Sequence, residues 1–326
     1  MRYLITGGAG FIGSHLADAL VARGGEIVIL DDLSTGRREN VDHLVAAQQA
    51  ELVEGSTLDS GQVTKLMSDC DACFHLASPV GVRLVVDRTL ESVLQSVRGT
   101  EVVLETAARQ RKRLLFASTS EIYGKGDGRP LAEGADRVLG SPMVPRWAYS
   151  TAKSIGEILA CGYARERGAE MVVARLFNVV GPRQRGDWGM VLPNFVRQAL
   201  AGEDLTVFGD GSQSRCFTHV TDAVDALVGL LDADGAMGYA YNVGHHEPIT
   251  ITALARRVIE RAGSPSALRF VPYEEAYGDG FEELGHRRPD CSALRRLTGW
   301  VPSRTVDDAI DDAIAYQRSA LAQVTR

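Results

Sequence analysis

Cysteine is scarce: Cys70, Cys73, Cys161, Cys216 and Cys291 are the whole complement in 326 residues. An odd number without a paired framework excludes a disulfide scaffold. The Cys70–Cys73 CxxC has no second pair to complete a zinc site, so no metal is expected. The thiols read as reduced residues near a buried strand. Positive charge is also short, with 35 Lys and Arg against 42 Asp and Glu. The net charge of −7 argues against a nucleic-acid-binding surface. No apolar run is long enough to span a bilayer, and Met1 opens straight onto an apolar strand. Neither a membrane anchor nor a signal peptide is expected, which points to the cytoplasm. What remains is a chain 45% hydrophobic with a mean hydropathy of −0.06, long enough for one large α/β domain and a smaller lobe.

The first 32 residues organise the rest. Arg2-Tyr3-Leu4-Ile5-Thr6 reads as a buried strand and runs into Gly7-Gly8-Ala9-Gly10-Phe11-Ile12-Gly13. Ile12, Leu16, Ala19 and Leu20 then recur at helical spacing, and Glu26-Ile27-Val28-Ile29-Leu30 is a second strand ending at Asp31-Asp32. In such a βαβ unit, glycines at 7, 10 and 13 let the backbone approach a pyrophosphate at the helix N-terminus. An acid at the end of the second strand accepts hydrogen bonds from the adenosine ribose and repels a 2′-phosphate, so NAD is expected over NADP. Arg37 and Arg38 nearby are the features that pull the other way.

Ser34, Thr35 and Gly36 form a polar turn, a helix is expected near residues 41–49, and Glu51-Leu52-Val53-Glu54 is a short strand followed by a Gly55-Ser56-Thr57 loop that borders the adenine. Ala72-Cys73-Phe74-His75-Leu76-Ala77 is another strand whose small end passes beneath a cofactor, with His75 read as a packed core residue. A long amphipathic helix over 92–109 and a strand over 113–117 continue the alternation. This rhythm implies a doubly wound parallel sheet, a Rossmann fold, with a smaller α/β substrate lobe.

The chemistry is expected at the carboxyl ends of the strands. There the 113–117 strand delivers Ser118-Thr119-Ser120-Glu121-Ile122-Tyr123-Gly124, and downstream stands Arg146-Trp147-Ala148-Tyr149-Ser150-Thr151-Ala152-Lys153. Tyr149 and Lys153 share one helical face. A lysine ammonium beside a phenol favours the phenolate, which can take a proton from a sugar hydroxyl while hydride leaves the same carbon.

These motifs, with 175–183 and 208–222, resemble in order those of the extended short-chain dehydrogenases/reductases, specifically the NAD-dependent sugar-nucleotide epimerase/dehydratase family, over nearly the whole chain. Thr119-Ser120-Glu121, Val138-Leu139-Gly140, the Arg146–Ser150 stretch, Tyr277-Gly278-Asp279-Gly280-Phe281 and His286-Arg287-Arg288-Pro289-Asp290 resemble UDP-glucuronate decarboxylases. The resemblance implies a cofactor set of the three glycines, Phe11, Ile12, Asp31, Asp32, Ser34, Thr35, Gly36, Ser56, Thr57, Leu76, Ala77, Tyr149, Lys153 and Phe177. It implies catalytic roles for Thr119, Ser120, Glu121, Tyr149, Lys153 and Arg287. It places Arg83, Asn178, Arg185, Leu192, Phe208, Arg215 and Arg287 at the UDP-sugar. It also implies a division at 1–176 and 177–326, with some later segments returning to the sheet, and a homodimer through the helices around 92–109 and 149–167. The expected reaction is C4 oxidation of UDP-glucuronate, loss of CO₂ and return of hydride, giving UDP-xylose or a released 4-keto-pentose. In sugar-nucleotide 4,6-dehydratases an aspartate stands where Ser120 is, which disfavours dehydration. UDP-glucuronate or UDP-hexose 4-epimerisation is the competing reaction, and a non-catalytic NAD sensor the reading outside enzymes. Two departures from the family pattern stand out: Ser56 where many relatives have aspartate, and Ser96 where asparagine is usual.

Overall fold

The computed structural model describes residues 1–187, 189–277, 282 and 285–324. Its first half is the βα alternation the periodicity predicts: β1 (Arg2–Thr6), α1 (Phe11–Ala22), β2 (Glu26–Asp31), α2 (Asp42–Ala46), β3 (Ala50–Glu54), α3 (Ser60–Ser68), β4 (Ala72–His75), α4 (Val82–Asp87), α5 (Thr89–Gln110) and β5 (Arg113–Thr119). Strand β6 (Gly126–Leu131) leaves the layer, and α6 (Ala148–Arg167) with β7 (Met171–Leu176) returns to it. There follow β8 (Val179–Val180), α7 (Val191–Ala201), β9 (Leu205–Phe208), β10 (Ser214–Cys216), β11 (Thr218–His219), α8 (Val220–Asp232) and β12 (Ala240–Val243). The chain ends with β13 (Pro248–Thr250), α9 (Ile251–Ala262), β14 (Leu268–Val271), α10 (Tyr273–Tyr277), β15 (Gly285–Pro289), α11 (Ser292–Thr298) and α12 (Val306–Val324).

Seven parallel strands form the central sheet in the order β12-β7-β5-β4-β1-β2-β3. Alternate residues of each strand feed opposite layers. Ile5, Ile29 and Leu115 pack with Leu16 and Leu20 of α1 and Leu227 of α8. Leu4, Val28 and Phe116 pack with Met67 of α3 and Leu104 of α5. The strand order reverses between β1 and β4, which opens a crevice at the carboxyl ends of the strands.

Two segments cross the 176/177 division. Strand β12 covers the open edge of β7, and β6 joins β15, β10 and β13 in the lobe sheet. The run Gly-Asp-Gly-Arg-Pro-Leu of β6 has no alternating apolar face, so nothing local marks it as a strand. The lobe has its own core, in which Phe195, Leu254 and Ile310 bring together α7, α9 and α12.

Beneath the crevice, Arg175 of β7 donates to Glu157 of α6 at 2.8 Å, to the Tyr123 hydroxyl at 2.8 Å and to the Glu133 carbonyl at 2.7 Å. Tyr123 in turn donates to Asn242 of β12 at 2.7 Å. His75 is fully buried between Thr6 Oγ1 at 2.7 Å and Thr100 Oγ1 at 3.0 Å, and stacks on Phe116. Burial, and then the charge of Lys153, lower its pKa to about 3. The folded chain therefore holds His75 neutral while the unfolded chain takes up a proton near pH 6.5. Stability tied to His75 is complete above about pH 6.5 and is lost as pH falls towards 3. Urea titrations of wild type should lose about 2 kcal/mol between pH 6.5 and 5 that a His75→Gln variant does not lose. Parallel pH curves for the two proteins would refute this.

Candidate active site

Gly7 has a φ of +74°, and a Cβ there would stand 2.7 Å from the Ala77 amide nitrogen. A Cβ on Gly13 would collide with the Gly7 carbonyl, so the loop and the first turn of α1 close only with glycine at both places. At the end of β2, Asp31 accepts from the Ala9 and Leu33 amides, both at 2.9 Å. Burial raises its pKa, opposed by those same amides. Asp32 accepts from the Ser34 hydroxyl and, at 2.9 Å, from Gln95 of α5.

These residues line a cleft together with Gly10, Phe11, Ile12, Thr35, Thr57, Leu76 and Ala77. Three residues expected there do not line it. Gly36 instead packs on the Asp31 carboxylate, where a Cβ would stand 2.8 Å from Oδ1. Ser56 turns its hydroxyl back to the Leu58 amide at 3.2 Å. Phe177 is fully buried against Ile122 and Tyr123. Asn40, Gln95 and Ser118 line the cleft without having been expected to. The Ser118 hydroxyl is buried with no hydrogen-bond partner among the described residues. The glycine cradle, the acid at the strand end and this waiting hydroxyl fit a dinucleotide.

At the end of β5, Thr119 Oγ1 accepts the Glu121 amide at 3.1 Å and caps the single turn Ser120–Tyr123. That turn aims Ser120 Oγ at Arg287, which donates to it at 3.0 Å, and Glu121 Oε2 at Arg146, which donates at 2.7 Å. Tyr149 stands on the first turn of α6. Lys153 donates to the Ala117 carbonyl at 2.9 Å and lies over the Phe116 ring. Burial lowers the Lys153 pKa to about 7, with Glu157 opposing. Burial and then Glu121 push the Tyr149 phenol well up, with Arg146 opposing. The charges that act on this phenol are those of Glu121 and Arg146, while the Lys153 ammonium is directed at the Ala117 carbonyl. Burial works to raise the Glu121 pKa, but Arg146, Arg287 and Arg215 outweigh it and hold the group below its ordinary range.

The lobe brings the remaining cations. Parallel pairing of β10 with β15 sets Arg215 opposite Arg287. Arg287 donates to Asn178 Oδ1 at 3.3 Å, and Arg215 donates to the Ser214 carbonyl at 2.8 Å and to that of Gly285. A second cleft is lined by Arg146, Leu192, Phe208 and Arg215, and it shares Glu121, Tyr149, Asn178 and Arg287 with the first. The two are halves of one groove that meet at Tyr149. Arg83 is not part of it: its side chain is 71% exposed and pairs with Asp87. Arg185 lies on the dinucleotide side, paired with Asp187 and reaching the Thr35 carbonyl. The 278–281 part of the Tyr277–Phe281 motif, and Trp188, lie outside the described residues. Arg146 is the main residue that sequence reasoning missed as a site residue; its signals were its place three residues before Tyr149 and its membership of the Arg146–Ser150 stretch.

A Rossmann cleft that opens through a Tyr-Lys helix onto an arginine-lined groove defines an NAD-dependent enzyme of the extended short-chain dehydrogenase/reductase type. The chain belongs to the NAD dependent epimerase/dehydratase family, whose model matches residues 3–244. It is 37% identical to a UDP-N-acetyl-alpha-D-glucosaminuronate decarboxylase of Bacillus cytotoxicus, over 97% of this chain and 98% of that one. It is 35% identical to UDP-glucuronic acid decarboxylase 1 of Xenopus tropicalis, over 98% and 73%. A solved UDP-glucuronic acid 4-epimerase from Bacillus cereus, in complex with UDP-glucuronic acid and NAD, superposes with a TM-score of 0.85 at 26% identity, covering 98% of this chain and all of that one.

Gly13→Ala should abolish NAD binding, because the added methyl displaces the Gly7 carbonyl that shapes the loop. Isothermal titration with NAD checks this, and affinity within about tenfold of wild type (about 1.4 kcal/mol) would contradict it.

Proposed function

We propose that the chain is a UDP-glucuronate decarboxylase. The observation that carries this reading is the convergence of Arg146, Arg215 and Arg287 on the groove beside Glu121 and Tyr149. Three guanidiniums drawn from separate segments form a donor set suited to a substrate carrying both a diphosphate and a carboxylate. Full-length similarity to decarboxylases of UDP-linked uronates supports it. When bound, NAD supplies the hydride acceptor for C4, returns that hydride later, and adds a positive ring to the pocket that Tyr149 also lines.

Tyr149 takes the O4 proton as the C4–H bond gives up its hydride, and Thr119, at the end of β5, holds O4. The resulting ketone is β to the C6 carboxylate. When the C5–C6 bond breaks, its electron pair moves onto the C4 oxygen and CO₂ leaves. Arg287 and Ser120, already joined at 3.0 Å, orient the carboxylate before it leaves. A proton drawn from solvent and relayed by Glu121 then goes to C5, and hydride returned to C4 with the Tyr149 proton passing back to O4 gives UDP-xylose, unless the 4-keto-pentose leaves first. Ser120, a hydroxyl engaged by Arg287, is a poor acid for expelling water, so dehydration is disfavoured. The competing 4-epimerase reading rests on the likeness to the Bacillus cereus enzyme.

Purified protein with UDP-glucuronate and NAD should evolve CO₂. Glu121→Gln should slow CO₂ release by about 10²- to 10⁴-fold, and Tyr149→Phe should also stop the first reduction of NAD. UDP-N-acetylglucosaminuronate in parallel tests which uronate is preferred. An equilibrium mixture with UDP-galacturonate and no CO₂ would establish the epimerase instead.

We also propose a cytoplasmic homodimer. All five cysteines are free, which suits a reducing compartment, and among the described residues no helix is long and apolar enough to cross a membrane. Leu90 and Leu94 of α5 and Ile155 and Ile158 of α6 are exposed, with Leu90 at 73% and Ile158 at 67%. These two helices pack side by side, so their outer faces suit a second copy. Ile158→Glu should convert a dimer into a monomer by light scattering at micromolar concentration, and a wild-type monomer would overturn the assembly.

A further inference from the structure

We propose that Arg146 is a positioning residue for the acid–base pair: it fixes Glu121 and offsets its negative charge, and so lets Tyr149 ionise. The assignment rests on Tyr149 being the base of the reaction above, and it holds for decarboxylation and epimerisation alike. Arg146 sits in the single turn Pro145–Trp147 that leads into α6, three residues before Tyr149. The turn is anchored by Trp147, which is 2% exposed and donates to Glu282 at 3.2 Å. Gly140 closes against the indole, where any Cβ would collide with Nε1. The Arg146 side chain is 7% exposed, and its Nη1 meets Glu121 Oε2 at 2.7 Å. Burial and the ion pair together hold the guanidinium against the carboxylate.

The charges around the pair define its task. Glu121 is faced by Arg146 from the turn before α6, by Arg287 from β15 and by Arg215 from β10. Tyr149 is faced by Glu121 and Arg146, with Lys153 one turn further along its own helix. Helix α4 also packs on the Arg146 turn, but its Arg83 and Asp87 pair with each other at exposed positions. Lys125, over the Trp147 ring, pairs with Glu282. Glu121 opposes phenolate formation and Arg146 favours it. Two unlike charges in contact cancel much of each other's field at the phenol. Losing Arg146 removes the cation in contact with the Glu121 carboxylate and leaves its negative charge less offset next to the base, whereas losing both charges restores the balance. Removing a merely structural arginine would have no such reversal.

The test titrates the Tyr149 phenolate by ultraviolet difference absorbance, as NAD-bound protein minus its Tyr149→Phe counterpart. Arg146→Met should raise the midpoint by about one pH unit or more, a tenfold gain in proton affinity. Glu121→Gln should lower the midpoint, and Arg146→Met/Glu121→Gln should return close to wild type. Arg146→Lys, which keeps the charge and loses the fork, should stay near wild type. The pH profile of the first NAD reduction by UDP-glucuronate should move in step. An unmoved midpoint in Arg146→Met, or a double variant that stays shifted, would overturn the role. Should Arg146→Met not fold, Arg146→Gln takes its place with the same readings: a raised midpoint supports the role and an unchanged one refutes it. The titration needs NAD and no sugar, so a wrong substrate shows as absent turnover while the role of Arg146 is still decided.

Discussion

The guanidinium of Arg175 lies beneath the groove and joins the helix that carries Tyr149 and Lys153 to the turn that carries Ser120 and Glu121. It binds Glu157 one turn below Lys153, the Tyr123 hydroxyl at the end of the turn that carries Glu121, and the Glu133 carbonyl. Through Tyr123 the network continues to Asn242 on the outermost strand of the sheet. A buried ion pair is a poor source of net stability, because desolvation of both partners offsets their attraction, but it is expensive to leave half-made. That asymmetry makes it a device for geometry. The helix bearing Tyr149 and Lys153 and the turn bearing Ser120 and Glu121 keep one relative position, because any slippage strands a charge in the protein interior.

Above that base the two sides of the groove differ in their charged groups. One side carries Asp31 and Asp32 at the end of β2, with Arg183 and Arg185 also on its wall. The other side gathers arginines from three separate segments, around 146, 215 and 287. Tyr149 stands at the junction, where desolvation works against its ionisation. The two lowered pKa values nearby have the same origin in burial: Lys153 at about 7 and His75 at about 3 are both cationic acids deprived of water.

The dinucleotide half was legible along the chain because its signals are local. A strand, a glycine run, a helix and an acid within 32 residues specify their own geometry, since each step is a backbone or neighbour constraint. The Tyr149–Lys153 spacing is local in the same sense. The finer claims failed where contact depended on distant packing. Ser56 and Phe177 sit in the right stretches but turn away, one to cap its own turn and the other into the core. Arg83 lies on a helix near the groove but on its solvent side.

Sequence alone therefore determined the alternating sheet, the glycine cradle with its acid, and the placing of Tyr149 and Lys153 on one helix, because periodicity and short-range spacing encode them directly. Tertiary structure alone decided which arginines converge. The register of β10 against β15 sets Arg215 beside Arg287, and the crossing of β6 into the lobe ties that sheet to the catalytic turn. It also decided the protonation preferences, since burial is the first cause of the shift at Tyr149, Lys153 and His75, and burial exists only in the folded chain. A strand's own sequence does not encode its register against a strand more than seventy residues away, so the meeting of Arg215 and Arg287 exists only once those strands have paired.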